Sequence, residues 1–314
     1  MGEQQGHNAT SNSTASVAVF TLQALAGMCI NAFIVATSCT VWLRKKSLSS
    51  SEKIMQLLGC FRFMYMCSAW IYIILSTLFP EHHFGMAIIF TFAIFPTFLY
   101  YSDLWTSACL YAFYCLKIAN FRHHLFIYLK ARADRIVPWM LLSSMIMSLV
   151  NCSPFFKVIE VGNNTSINST SLKTVRSVNE ELRKHFITVF FVSISGFSMA
   201  FLLVTISAFL LLFSLCRHKH KMQTSSASSL SMDTHIKAMK SLLSFFFIYT
   251  VNYITLIFSL NYSSDKNLSL VLSALQYAFP IIHSLILICS SPRLARTALR
   301  ILPCATCKGC PGRR

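Results

Sequence analysis

Seven long apolar windows dominate this chain. Crossing the hydrocarbon core of a bilayer takes about 20 mostly apolar residues as a helix. Windows of that length lie near Val17–Leu43, Ile54–Pro80, Phe84–Leu116, Ile136–Phe156, Phe186–Leu215, Ala238–Leu260 and Leu268–Ser290. They are apolar nearly all round, whereas a soluble core helix has a single apolar stripe. From Asn8 to Leu43 there is no charged side chain at all. In lipid the backbone must satisfy its own hydrogen bonds, so such windows are predicted to be helices. The connections are too short to bury a core of their own. The chain therefore reads as an all-α membrane protein, a seven-transmembrane helix bundle spanning residues 17–290, with an N-terminal tail at 1–16 and a C-terminal tail at 291–314.

Charge then orients the bundle. Charged residues make up only 12% of the chain, against about a quarter in soluble proteins, yet the formal net charge is +17. That excess is unevenly placed. The first, third and fifth connections and the C-terminal tail hold four, five, five and six Lys or Arg, and the opposite side holds six. Of the basic residues, Arg62 alone lies deep inside a window. Twenty against six puts the basic side in the cytoplasm, the N-terminus outside and the C-terminus inside. The basic charge is thus a mark of topology, not a footprint for nucleic acid.

The glycosylation sequons fall on the expected outer side. Asn8 and Asn12 begin sequons in the N-terminal tail, and Asn163, Asn164 and Asn168 do so in the fourth connection. Asn261 and Asn267 flank the sixth, and Asn151 sits too near the membrane for modification. The N-terminus lacks the basic region and apolar core of a cleavable signal peptide, so the first window is expected to serve as an uncleaved anchor. Gly6 occupies the place where myristoylation after Met1-Gly2 needs Ser or Thr. Most of the twelve cysteines lie in or at the ends of windows, where a thiol behaves as a small hydrophobe. Cys304, Cys307 and Cys310 in the tail leave three readings open: lipidation, free thiols, or an incomplete zinc site.

Local motifs carry the next step. The third window ends in Leu110-Tyr-Ala-Phe-Tyr-Cys-Leu-Lys-Ile-Ala-Asn-Phe121, followed by Leu125-Phe126, Leu129-Lys130 and Arg132. Further blocks are Gly27, Asn31 and Phe33-Ile34; Leu48-Ser-Ser-Ser51, Leu57-Leu58 and Arg62; Phe209 to His218; His235 to Lys240; and Pro280, His283 to Ile288 and Pro292-Arg-Leu294. In order and spacing these blocks resemble the bitter taste receptor family of G-protein-coupled receptors over most of the chain. Asp/Glu-Arg-Tyr at the end of the third helix and Asn-Pro-x-x-Tyr in the seventh, both usual in rhodopsin-like receptors, are absent. The sequence departs from the family at Tyr100-Tyr101 (often Asn-His), Phe201 (often Pro), Ile30 (Gly) and Ile281 (Ser).

The resemblance implies a plasma-membrane chemoreceptor that binds small, largely apolar bitter compounds and activates a gustducin or inhibitory-type heterotrimeric G protein. A ligand pocket is expected to open outward between the third, fifth, sixth and seventh helices. Its candidate residues are Thr97, Tyr100, Tyr101, Asn252, Ser273, Gln276 and Tyr277. The candidate G-protein face comprises Lys117, Asn120, Phe121, Leu125 and Lys130 with Arg217, His218, His235, Lys237 and Lys240. Anionic inner-leaflet lipid also accounts for such basic clusters. After the seventh window, Arg293, Arg296 and Arg300 share a face opposite Leu294 and Ile301, the pattern of a short amphipathic helix on the membrane surface.

Inside the membrane two charges stand out. An Arg at bilayer depth costs roughly 2.5–3.5 kcal/mol on insertion scales and needs a partner. Asp103 is the only carboxylate well inside a window. An Arg62–Asp103 pair supported by Asn31 is expected, as the element that biases inactive against active packing. In the alternative arrangement Asp103 faces the ligand and Arg62 bonds to carbonyls. His283 matches the family's His-Ser and is expected to be hydrogen-bonded within the bundle. The histidines lack ligand-spaced partners for a metal, and there is no nucleophile–base arrangement or phosphate-binding Gly loop. Neither enzyme activity nor a cofactor or metal is expected. The competing readings are a vomeronasal type 1-like pheromone receptor and a seven-helix transporter. The halves show no internal repeat of the kind transporters carry.

Overall fold

The structure, a computed structural model, describes the backbone of residues 2–78, 94–119, 121, 123–168, 172–224, 229–261 and 266–307. It describes the side chains of residues 15–75, 77, 94–119, 121, 123–124, 126–157, 184–185, 187–217, 243–259 and 268–301. The elements are α1 (Gly2–Lys45), α2 (Ser50–Leu78), α3 (Phe95–Ile118), α4 (His124–Asn168), α5 (Leu172–Thr224), α6 (Ser229–Asn261), α7 (Lys266–Ser290) and α8 (Pro292–Cys307). No strand occurs among the described residues.

Several helices outrun their apolar windows. The 45 residues of α4 span roughly 68 Å at 1.5 Å per residue, about twice the hydrocarbon thickness. Helix is unrestricted beyond the lipid, because its internal hydrogen bonds are equally satisfied in water. α1 likewise starts at Gly2, within the expected polar tail, and α5 runs on to Thr224. Among the described residues, five stretches are long and apolar enough to cross a membrane: Ala15–Lys45, Ser50–Leu75, Ala133–Lys157, Ile187–Arg217 and Leu268–Ser290. In α6 the apolar stretch within the described side chains is Leu243–Ser259. α3 is enclosed by its neighbours. Fourteen of its residues are buried, including Tyr101, Ser102, Asp103, Trp105, Thr106 and Ser107. The expected start of this helix at Phe84 lies outside the described residues.

Packing closes a ring. α1 packs on α2, α2 on α3, α3 on α4, α4 on α5, α5 on α6, α6 on α7 and α7 on α1, while α3 also meets α5. Large apolar side chains cover the outside: Trp139 is 71% exposed, and Leu22, Phe191, Phe209, Phe213 and Phe247 are exposed too. Apolar exposure on this scale in water would mark an aggregation surface; here it marks lipid as the solvent. The inside holds Arg62, Asn31, Asp103, Ser107 and His283. α4 and α5 meet tightly at Gly196, where an added Cβ would land on the Asn151 side-chain oxygen.

The turn between α1 and α2 is locally encoded. Lys46 sits at φ 55°, its N–H bonded to the Trp42 carbonyl at 2.7 Å, which is a left-handed stop to the helix. Ser49 then caps α2. Its hydroxyl and backbone N–H both donate to Glu52, at 2.8 and 2.9 Å, in the reciprocal Ser-x-x-Glu arrangement. α8 follows α7 after Ser291 and packs on α7 and α1.

Candidate functional site

The site is built around one guanidinium. Arg62 of α2 is 1% exposed. Its Nε donates to Asp103 Oδ1 at 2.7 Å and one Nη to Ser284 at 2.8 Å. The other Nη donates to Ser107 at 3.2 Å and contacts His283 Nδ1 at 2.5 Å. A guanidinium has only donors, so His283 Nδ1 accepts and its proton resides on Nε2. That ring is held between Phe245 and Phe279, with centroids 5.1 and 5.7 Å away. Local sequence places each partner. Asp103 and Ser107 are four apart on one face of α3, and His283 and Ser284 follow Pro280 on α7.

The structure thus brings Arg62, Asp103 and His283 into direct contact. Asn31 joins differently from the expectation. Ser284 donates to Asn31 Oδ1 at 2.8 Å, and Asn31 Nδ2 donates to the Gly27 carbonyl at 2.8 Å. Ser284 is therefore the link that carries the network into α1, so α1, α2, α3 and α7 share one buried polar cluster. A lone charge would be costly at this depth, and pairing it in a buried network specifies the arrangement of four helices, although His283 Nε2 is left without a hydrogen-bond partner.

Further from α8 lies a cavity of about 340 Å³. Its wall is formed by Tyr65, Ala69 and Tyr72 of α2; Pro96, Thr97, Tyr100 and Tyr101 of α3; and Phe155 of α4. Ser193 and Phe197 of α5, Leu256 and Ser259 of α6, and Gln276 and Tyr277 of α7 complete it. Aromatic rings interlock around it. Tyr65 stacks on Tyr277 at 5.8 Å and lies 5.8 Å from Tyr100, and Tyr101 stacks on Phe197 at 5.1 Å. Tyr101 donates to Ser193 at 2.9 Å. Apolar walls with a few oriented hydroxyls suit small, weakly polar ligands.

Cavity and network share helices. Tyr65 is three residues from Arg62 on α2, and Tyr100 three residues from Asp103 on α3, each a rise of about 4.5 Å. On α7, Tyr277 precedes Pro280, His283 and Ser284.

Of the residues expected to line the pocket, Thr97, Tyr100, Tyr101, Gln276 and Tyr277 do so. Asn252 is buried behind the wall and accepts from Tyr100 at 3.5 Å. Ser273 is not on the wall. The wall draws on α2 and α4 as well as the four expected helices, and Tyr65, Tyr72 and Phe155 were missed. Tyr65 carried a readable signal, since it lies one turn from the intramembrane Arg62. Phe155 carried none, because its approach depends on the α3–α4 packing.

At the basic end, Lys117 pairs with Asp134 at 2.7 Å in the open, and Lys130 donates to the Ala119 carbonyl that ends α3, at 2.7 Å. Phe121 packs on Phe126 and Phe213 at 5.0 and 6.4 Å, tying the segment after α3 to α5. Arg217 is exposed. The side chains of Asn120, Leu125, His218, His235, Lys237 and Lys240 lie outside the described residues. So do those of Asn8, Asn12, Asn163, Asn164, Asn168, Cys304, Cys307 and Cys310.

Comparison with known proteins agrees with this architecture. The family profile of the Taste receptor protein (TAS2R) matches residues 9–306. Taste receptor type 2 member 110 of Mus musculus is 30% identical, over 94% of this chain and 96% of its own length. Taste receptor type 2 member 7 of Papio hamadryas is 27% identical, over 88% and 89%. Taste receptor type 2 member 3 of Homo sapiens is 28% identical, again over 88% and 89%.

Proposed function

The chain belongs to the taste receptor type 2 family, and from that premise we propose how this receptor works. It is a membrane-embedded G-protein-coupled receptor of the bitter taste type, not an enzyme. Its agonists are small, largely apolar bitter compounds that enter the tyrosine-walled cavity. Its partner is a heterotrimeric G protein of the gustducin or inhibitory type, docking on the basic end through the segments around Lys117–Lys130 and Arg217–Lys240. Seven helices cross the plasma membrane, with the N-terminus and its sequons outside and the tail inside. The twenty-to-six distribution of basic residues supports that orientation.

The observation that carries the mechanism is the shared helices. A ligand that displaces Tyr65, Tyr100 or Tyr277 acts on α2, α3 and α7 one or two turns from the Arg62–Asp103–His283–Ser284 cluster. Agonist binding favours the packing whose cavity fits it, and the cluster converts that preference into a different relation of the four helices. The family match favours this reading over a pheromone receptor or a transporter.

The test is co-expression with a gustducin-like chimeric G protein and a calcium readout across a panel of bitter compounds. An N-terminal epitope stained on intact cells reports both surface expression and orientation. Calcium release confined to cells bearing the receptor is expected. Surface expression with no response to any compound would overturn the ligand class, and staining only after permeabilisation would overturn the orientation.

A further inference from the structure

Where the α1–α2 turn meets α8, a second cavity of about 500 Å³ opens between the Ser49–Glu52 turn and the Arg293, Arg296 and Arg300 face of α8. Its charges are not balanced. The Glu52 carboxylate is committed, because it accepts from the Ser49 hydroxyl and N–H and pairs with Arg293. Arg293 is thereby neutralised and anchored. Arg296 and Arg300 line the same concavity and form no ion pair with any described carboxylate. Both side chains are exposed to solvent, which leaves their charge available to an anion in the cleft. Arg presents a planar fork that matches phosphate oxygens two at a time. Ser51 adds a hydroxyl to the same wall.

Size and setting narrow the anion. A water's share of liquid is about 30 Å³, so the cavity holds far more than one tetrahedral ion. On α8, Leu294 is buried against the bundle while Leu299 and Ile301 are 67% and 53% exposed. A helix of this amphipathic pattern suits a bilayer surface, a setting that puts the cavity at headgroup level.

We propose that this cleft binds a polyol carrying several phosphates, with Arg296 and Arg300 each forking onto a phosphate and Ser51 donating to one of them. Two sources share that chemistry: the headgroup of a phosphoinositide lipid and a soluble inositol polyphosphate. The site is independent of the agonist cavity and of the chain's orientation.

The test uses the full chain in nanodiscs, which expose both bilayer faces. One arm compares discs of phosphatidylcholine with discs containing phosphatidylinositol 4,5-bisphosphate, read by a fluorescent headgroup probe. The other titrates inositol hexakisphosphate into phosphatidylcholine discs. Binding in the first arm alone identifies the lipid, and binding in the second identifies the soluble anion; each supports the site. Arg296→Gln with Arg300→Gln is expected to weaken binding about thirtyfold, a factor of about five for each charge. Arg135→Gln, the loss of one charge elsewhere on the basic end, is expected to change binding less than about twofold. Ser51→Glu, which places a carboxylate in the cleft, is expected to match the double variant and serves if that variant misfolds. No binding in either arm, or an equal loss with Arg135→Gln, overturns the proposal.

Discussion

Neutralising Asp103 is the sharpest perturbation of the buried network. Asp103→Asn keeps the shape and an acceptor oxygen for Arg62 Nε, which lies 2.7 Å from Asp103 Oδ1. It removes the only carboxylate with which Arg62 forms an ion pair among the described residues. If the pair were one hydrogen bond among four, the change would cost about 1 kcal/mol. A buried guanidinium stripped of its counter-charge costs about 3–5 kcal/mol. Ser107, Ser284 and His283 still satisfy its other donors, which places the expected loss near the lower limit, about 3 kcal/mol. Arg62→Met strands the carboxylate instead and is expected to cost about as much. The double variant leaves neither charge behind, so the two losses must not add. A coupling energy of about 2–3 kcal/mol is expected, read from unfolding in mixed micelles by titration with denaturing detergent. Additivity within about 0.5 kcal/mol would refute the reasoning. It would mean that Arg62 draws its stability from neutral groups alone.

Gly196→Ala is expected to destabilise by about 1–3 kcal/mol, because the new methyl meets the Asn151 side chain, and Asn151→Ala in the same chain should restore most of the loss; the same unfolding titration checks both. Tyr65→Ala is expected to raise agonist EC50 at least about tenfold at equal surface expression, since it removes a ring stacked on Tyr277 and opens the cavity wall. Ser273→Ala is expected to leave the calcium concentration–response curve unchanged, because Ser273 is off that wall. Lys46→Gly, at φ 55°, is expected to stabilise the α1–α2 turn by up to about 1 kcal/mol, seen as slower amide exchange at the start of α2.

What could be read from the sequence was whatever the solvent imposes on the chain. Lipid demands apolar helices, so the windows around Val17–Leu43 and Leu268–Ser290 announce themselves. It also penalises lone charge, so Arg62 and Asp103 stand out as a pair in search of each other. Periodicity alone likewise places Arg293, Arg296 and Arg300 on one face of α8. Helix ends beyond the lipid escaped this logic. Water accepts helix or loop alike, and α4 runs to Asn168 through residues expected to form a connection.

Only the tertiary structure decided which side chains meet. Ser284 as the link between Arg62 and Asn31, Tyr65 and Phe155 on the cavity wall, and Asn252 behind it rather than on it all depend on how the helices are rotated and spaced. A helix apolar on every side gives little indication of which face turns inward, because lipid and protein interior are nearly equivalent partners for Leu and Phe. Close packing against particular neighbours, such as Asn151 against Gly196, sets that rotation, and no single helix contains the information.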